Sequence, residues 1–418
     1  MTYIEFFDKT ASENICACLS CAPERVIFIG DNGKLMKKHI QRYQRILEER
    51  GIYVEYAYKT FAKNDLGRAV ELITEIIEEE EACTFDITGG DELLNLALGI
   101  VYGRNLQKNI QIQRMNLRSN TVYYFDQNGS VLPKKPIALT VQENIRLYGG
   151  DIRYGGADSI YTFCWDMNPE FEQDIDRIWE VCREDVKEWN TQIGIFQAAD
   201  KVGRVSEDGL TTVAARYDLE KLLDKTMGDY GYDERIIQGL FDFGLLTSFC
   251  DDGEFLTLSY KNRQVKKVLN KEGLALEMKV FVSARTVRDS SGCAVYNDAM
   301  NGVVIDWDGA FHDSDDDGVY DTINEVDVIL MHGVIPVFIS CKNGYFTADE
   351  LFKLNSVAEQ FGNEYARKVL VATGLERNGD SDDYIRQRAK DMNIKILENV
   401  QNLDKSAFDK LIKNLWNN

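Results

Sequence analysis

The stretch NEVDVILMHGVIPVFISCKNG, residues 324–344, decides the reading of this chain. Two apolar runs meet at a His-Gly pair, while Glu325 and Asp327 open the stretch and Lys342 closes it. Apolar runs joined by a short glycine-containing link predict a β-hairpin. A two-residue turn on His332 and Gly333 sets Met331 against Val334, Asp327 against Phe338 and Glu325 against Ser340. Side chains alternate faces along a strand and cross-strand partners share one. That register therefore gathers Glu325, Asp327, Ser340 and Lys342 at one corner, and leaves Val326, Val328, Leu330, Val337, Ile339 and Cys341 as a core face. Carboxylates beside a lysine at the rim of a buried sheet offer hard oxygen ligands to a divalent cation and an ammonium to position water, which is what metal-dependent phosphodiester hydrolysis requires. A solvated salt-bridge cluster at a sheet edge is the competing reading. Pro336, which cannot donate to the ladder, marks a bulge or an edge strand.

Working outward, the 418 residues predict two or three domains. No twenty-residue apolar span and no basic apolar leader appears, so a soluble cytoplasmic protein without a membrane partner is expected. Nine scattered cysteines fit reduced thiols. Cys16, Cys18 and Cys21 invite a zinc reading, but no second ligand pair of the usual spacing follows. The formal net charge of −21 argues against a general nucleic-acid coat protein. A local basic groove is still compatible with it, and KNRQVKK (261–267) could supply one or could be a solvated helix face.

The first 130 or so residues alternate strands and amphipathic helices: RVIFIG (25–30), a helix over 34–51, IYVEYAY, a helix over 65–80, CTFDI, a helix over 91–103 and TVYYFD. Such alternation predicts a parallel, doubly wound sheet. GSVLPKKP (129–136) breaks the pattern. The following stretch is mixed, and ERIIQGLFDFGLLTSFCDDGEFLTLSY reads helix, strand, turn, strand, like a small winged-helix element. A helix over 261–284, strands near 302–306, the hairpin, a helix over 348–360, KVLVAT (368–373), a helix over 382–391 and IKIL make a second α/β domain. The expected division is 1–135, 136–260 and 261–418.

Two strands of the first domain end in loops suited to phosphate or nucleotide: Gly30, Asp31, Asn32 and Gly33, then Thr88, Gly89, Gly90, Asp91 and Glu92. Glycines let backbone amides approach a ligand, a helix N-terminus favours an anion, and strand carboxyl ends are where open parallel sheets bind. Neither loop has the Gly-x-Gly-x-x-Gly or Walker pattern. Tight turns with helix caps are the alternative.

Together the two ends resemble a known family. DITGGDELLNLALG is similar to the ligand motif of CRISPR-associated Rossmann-fold (CARF) domains, and NEVDVILMHGVIPVFISCKNG is similar to the hairpin of PD-(D/E)XK, restriction-endonuclease-like nucleases. In this order they resemble the ancillary nucleases of type III CRISPR antiviral defence. The resemblance implies a homodimer whose Rossmann-like domain binds a cyclic oligoadenylate, commonly the tetramer, through Gly30, Asp31, Asn32, Thr88, Gly89, Gly90, Asp91 and Glu92. It implies a C-terminal domain that cleaves DNA or RNA with Mn or Mg. Asp327 then corresponds to the first metal-binding acid, Lys342 to the lysine, and Glu277 to the acid a preceding helix contributes. Ser340 departs from the motif, which has Glu or Asp two residues before the lysine. On the register above, Glu325 is the candidate to replace it.

DSDDDGVYD (313–321) places Asp313, Asp315, Asp317, Gly318 and Asp321 at calcium-loop positions, with Asn324 where glutamate should close the loop. An acidic connection between strands is the simpler reading. Two rival functions stand: a ring nuclease that degrades the cyclic ligand, and a noncatalytic, ligand-gated nucleic-acid-binding regulator.

Overall fold

The computed structural model describes the chain apart from residues 17, 22, 126–130, 135–136, 158, 225–230, 311, 313–320, 375–378 and 418. The acidic DSDDDGVYD loop lies almost wholly outside the described residues. No helix among the described residues is long and apolar enough to cross a membrane.

The N-terminal sheet has seven strands in the order β3-β2-β1-β4-β5-β6-β7. They are β1 (Thr2–Phe6), β2 (Arg25–Gly30), β3 (Glu55–Thr60), β4 (Ala82–Asp86), β5 (Asn109–Asn116), β6 (Thr121–Phe125) and β7 (Val131–Lys134). The first five run parallel, as expected. TVYYFD does not extend that parallel run: β6 pairs antiparallel with β5. Only residues 117–120 join them, and a parallel crossover needs a dozen or more. Helices α1 (Ala11–Ile15), α2 (Cys18–Cys21) and α3 (Gly33–Glu49) cover one face, and α4 (Leu66–Glu79) and α5 (Glu92–Arg104) the other.

Sequence patterning passes over β1, an interior strand third in the sheet order, and all five of its residues are buried. It was hidden by Glu5, which interrupts its apolar run. Glu5 is fully buried and neither carboxylate oxygen has a hydrogen-bond partner among the described residues. Its neighbour across the sheet, Asp86, is well satisfied: Tyr3 Oη (2.5 Å) and Gln113 Nε2 (2.7 Å) donate to Oδ2, and the Thr88 amide (2.6 Å) donates to Oδ1. Burial first, then the Asp86, Glu13 and Asp8 carboxylates, raise Glu5 far above the ordinary range. The native state thus holds this proton more tightly than the unfolded chain does. The stability that depends on it is full below the ordinary carboxylate range and is lost as pH rises towards the raised value. Glu5→Met should therefore raise thermal stability by about 1–3 kcal/mol at pH 8, and by less at pH 5. Melts at the two pH values check this, and a lower melting temperature at pH 8 would contradict it.

The middle of the chain carries α6 (Val141–Leu147), whose Thr140 and Glu143 form a capping box. After it come β8 (Asp151–Ile152), the short pair β9 (Tyr154–Gly155) and β10 (Thr162–Phe163), α7 (Pro169–Glu184) and α8 (Val186–Val202). A four-stranded antiparallel sheet follows, ordered β11-β12-β14-β13. It comprises β11 (Arg204–Val205), β12 (Thr211–Ala215), β13 (Leu246–Asp251) and β14 (Phe255–Tyr260), with α9 (Arg216–Leu223) and α10 (Glu234–Asp242). The helix-strand-turn-strand expected here is α10-β13-β14. The basic run after it is not an open groove: Lys261 pairs with Asp174 at 2.7 Å and Lys266 with Asp200 at 2.7 Å.

The C-terminal sheet has six strands, β19-β18-β17-β16-β15-β8. These are β15 (Asp298–Asp306), β16 (Ile323–His332), β17 (Ile335–Lys342), β18 (Arg367–Ala372), β19 (Ile394–Leu397) and, from before the expected division at 260, β8. The helix expected over 261–284 is two, α11 (Arg263–Leu269) and α12 (Leu274–Thr286), divided at Gly273 with φ +81°. Residues 274–284 of α12 are all buried. With α7 and α15 (Lys405–Lys413), α12 packs on one sheet face; α6, α13 (Ala348–Phe361) and α14 (Gly379–Asp391) pack on the other.

Candidate active site

The hairpin forms, but its register is two residues away from the expected one. Val328 faces Ile339, Leu330 faces Val337 and His332 faces Ile335, so the turn residues are Gly333 and Val334. Gly333 has φ +62°, the conformation a type II′ turn needs at its first central position, and glycine adopts it without penalty. Extending this register sets Asp327 against Ser340 and Glu325 against Lys342. The cross-strand argument that linked Glu325 to the Ser340 position therefore fails.

Asp327 sits where the sheet opens. On one side the ladder to β15 skips Gly302 (φ +58°) and Asp327, and Asn301 Nδ2 donates to the Asp327 carbonyl at 3.0 Å. On the other, the Asp327 carboxylate accepts the Cys341 amide at 2.6 Å and the Ser340 hydroxyl at 3.2 Å. Ser340 thus orients the acid. The skip also reverses the alternation of faces: Val303 and Val326 pack with Ile329 and Phe338, whereas Val328 packs in the opposite core. Val326 does not share the Val328 face, contrary to a uniform pleat.

Lys342 lies between two carboxylates, 2.8 Å from Glu350 and 4.0 Å from Asp327. Burial pulls its pKa down, but Asp327 and Glu350 outweigh that and hold it above the ordinary lysine value. Glu350, in the first turn of α13, escapes a reading confined to the hairpin; the acidic pair Asp349-Glu350 opening the next helix was the available signal. Burial opposes its ionisation, yet Lys342 and Lys353 keep its carboxyl below the usual value. Glu325 is exposed and pairs with Lys271 at 3.0 Å. Glu277, buried on α12, is pushed up to about 8 by burial and then by the Asp327 carboxylate. Asp327 is itself raised by burial, against the pull of Lys342 and the Cys341 amide. Glu277 and Lys342 line a cleft of about 820 Å³, and Lys342 also borders a recess of about 360 Å³ with Asp327, Ser340, Glu325 and Glu350.

No group of three or more His, Cys, Asp or Glu comes together as a metal-ligand cluster among the described residues. The donor chemistry nevertheless suits one hard cation: Glu277 and Asp327 are desolvated carboxyls that disfavour each other's charge, and a divalent ion between such groups relieves both penalties. Asp306 stands apart, buried in an ion pair with Arg153.

In the N-terminal sheet, a recess of about 420 Å³ opens at the carboxyl ends of β1, β2 and β4. Of the expected ligand residues, Gly30, Asp31, Asn32, Gly90 and Asp91 line it, whereas Thr88, Gly89 and Glu92 do not. The Thr88 hydroxyl accepts the Met115 amide at 2.7 Å. Gly89 has Asp8 Cβ where its own Cβ would come within 2.7 Å, and Gly90, at φ +88°, would overlap Phe6. Both glycines thus serve packing against the end of β1, and Gly90→Val would strain this loop whether or not a ligand passes. Asn32 and Asp91 cap α3 and α5 through the Leu35 and Leu93 amides, at 3.0 and 2.8 Å. Lys9 and Lys63 are exposed in the recess; Lys9 was missed because β1 was missed, and Lys63 follows β3, whose end carries no glycine-rich loop.

The fold and these sites define an α/β protein with a strand-end recess in one sheet and a lysine–carboxylate rim in another. No protein-family model matches the chain, and no curated protein matches it in sequence. Two solved structures match it from end to end. Protein VC1899 from Vibrio cholerae has a TM-score of 0.70 and 16% identity, covering 99% of this chain and 97% of that one. Can2 from Sulfobacillus thermosulfidooxidans, solved in complex with cyclic tetra-adenylate (cA4), has a TM-score of 0.64 and 16% identity, covering 100% and 99%. At such identities the likeness is one of fold. The α/β architecture expected from the sequence, a Rossmann-like parallel sheet first and a second α/β domain towards the C-terminus, is the fold found.

Proposed function

We propose that this protein is a nuclease of type III CRISPR defence, switched on by a cyclic oligoadenylate and acting as a cytoplasmic homodimer. Residues 1–135 bind the ligand, 136–260 connect, and 261–418 cut DNA or RNA. The observation that carries the reading is Lys342 held between Asp327 and Glu350 at a sheet opening, in a chain that shares its fold from end to end with a protein whose structure is in complex with cA4.

Asp327 and Glu277 would hold a Mn or Mg ion, with Glu350 or Glu325 as the further acid in place of Ser340; bound there, the ion supplies Lewis-acid polarisation of a phosphoryl oxygen and an activated water. Ser340 and the Cys341 amide keep the Asp327 carboxylate turned to the rim. Lys342 presents an ammonium to the phosphate, and Glu350 fixes where that ammonium points. The neutral Ser340 favours one second reading, a ligand-gated regulator that binds nucleic acid without cutting it.

Incubating the purified protein with manganese, a panel of cyclic oligoadenylates and labelled DNA and RNA separates these readings. Cleavage that appears only with a cyclic oligoadenylate is expected, and ligand-dependent binding without cleavage would favour the regulator. In the recess, Lys9→Ala combined with Lys63→Ala should weaken cA4 about 10–100-fold by calorimetry, as the loss of charge-assisted contacts implies. Unchanged affinity would remove the recess from ligand binding.

A further inference from the structure

A second cleft, of about 500 Å³, lies at the amino-terminal ends of β18 and β19, beside the last turn of α14. Five cations line it, Arg367, Lys368, Arg386, Lys390 and Lys395, against one acid among the described lining residues, Glu398. That acid is already engaged by Arg386, whose Nε and Nη2 each lie 2.9 Å from a carboxylate oxygen. Arg367 and Lys368 are half-buried, yet their hydrogen bonds go to neutral oxygens: Arg367 Nε to the Trp416 carbonyl at 3.0 Å, and Lys368 Nζ to Asn355 Oδ1 at 2.7 Å. Burial holds both below their ordinary pKa values; Arg118 adds to the effect on Arg367, and the Glu359 carboxylate only partly offsets it on Lys368. Lys390 and Lys395 are exposed.

The excess of positive charge stands out against the composition. A chain with a formal charge of −21 has carboxylates to spare, and the half-buried Lys261 and Lys342 are paired with them. Partly desolvated cations left without an anion are costly unless a ligand supplies one. We infer that this cleft binds the sugar-phosphate backbone of a nucleic acid at a point remote from the lysine–carboxylate rim. The inference rests on the nuclease reading for the identity of the polyanion. β17 and β18 are parallel with Lys342 level with Ala372, and Arg367 lies five positions earlier, about 16 Å along the strand. That separation equals roughly five phosphate steps of one strand. A substrate held at both places must be longer than that, and the cleft tightens binding of long substrates without touching the scissile phosphate.

The test uses the full-length protein with Lys390→Ala and Lys395→Ala combined, both at exposed positions that leave the core intact. Anisotropy of a fluorescein-labelled 30-nucleotide strand, measured in EDTA across a salt series, should show about tenfold weaker binding and a shallower salt dependence, the slope falling by roughly 1.4 for two lost phosphate contacts. With manganese and ligand, KM for the long strand should rise while kcat holds, and a four-nucleotide substrate should be cut as by wild type. Unchanged affinity and slope in the variant, with a wild-type protein that cleaves, would overturn the cleft and leave the nuclease reading standing. Weakened binding in a protein that never cleaves would uphold the cleft and remove the nuclease. A variant whose dimer dissociates on sedimentation while its affinity for the strand is unchanged would assign the cleft to a second copy of the chain and overturn the inference.

Discussion

Lys342→Met should lower ligand-activated cleavage by about 10²–10³-fold while cA4 affinity stays at the wild-type value. The magnitude is that of removing one preorganised charged group from a transition state that gathers charge. The selectivity follows from the architecture: Lys342 closes β17, and the ligand recess lies at strand ends of another sheet. Methionine keeps the length of the stem and removes only the ammonium, so lost cleavage reports charge rather than packing. Single-turnover cleavage and calorimetry on one preparation check both halves. Full activity in Lys342→Met would take the hairpin out of the chemistry.

Glu350→Gln should cost about 10²-fold in cleavage, whereas Glu325→Ala should stay within about twofold of wild type and change stability by no more than about 0.5 kcal/mol. Glu350 touches Lys342, while Glu325 is exposed on Lys271. Adding Ser340→Glu to Glu350→Gln returns an acid next to Asp327, the residue that the observed register sets across from Ser340, and should restore part of the loss. Manganese titrations of the three variants decide which carboxylate completes the rim. An inactive Glu325→Ala with an active Glu350→Gln would give that role to Glu325 and leave Glu350 a surface partner of Lys353.

The hairpin was legible because its apolar runs and its glycine are local signals; a shift of two residues preserves face parity and keeps Asp327, Ser340 and Lys342 together, while the break at Asp327 leaves Glu325 exposed on Lys271. Its cross-strand partners were not legible, since they depend on which of His332 and Gly333 takes the first turn position. Gly302 carried no mark in the sequence as the point where the ladder skips Asp327. Strand β2 announced itself through the continuous apolar run of RVIFIG, and β3 and β4 through aromatic and β-branched residues between amphipathic helices. β1 and β5 did not, because Glu5 breaks one and NIQIQRMN alternates polar residues through the other. Losing β1 also lost Lys9 from the recess. Glu350 was out of reach because eight residues and a change of element separate it from Lys342, and only tertiary packing brings them together.

The interior place of β1 has a consequence for how this protein can be cut. Strand β1 joins the two parts of the seven-stranded sheet: β2 and β3 lie on one side of it, β4 to β7 on the other, and their backbone ladders meet through Thr2–Phe6. Trimming a handful of residues there does not shave an edge. It severs the sheet into a two-stranded and a four-stranded fragment, each with a newly bare, apolar margin, so a proteolytic nick after Phe6 should send the protein into aggregates rather than yield a slightly shorter domain.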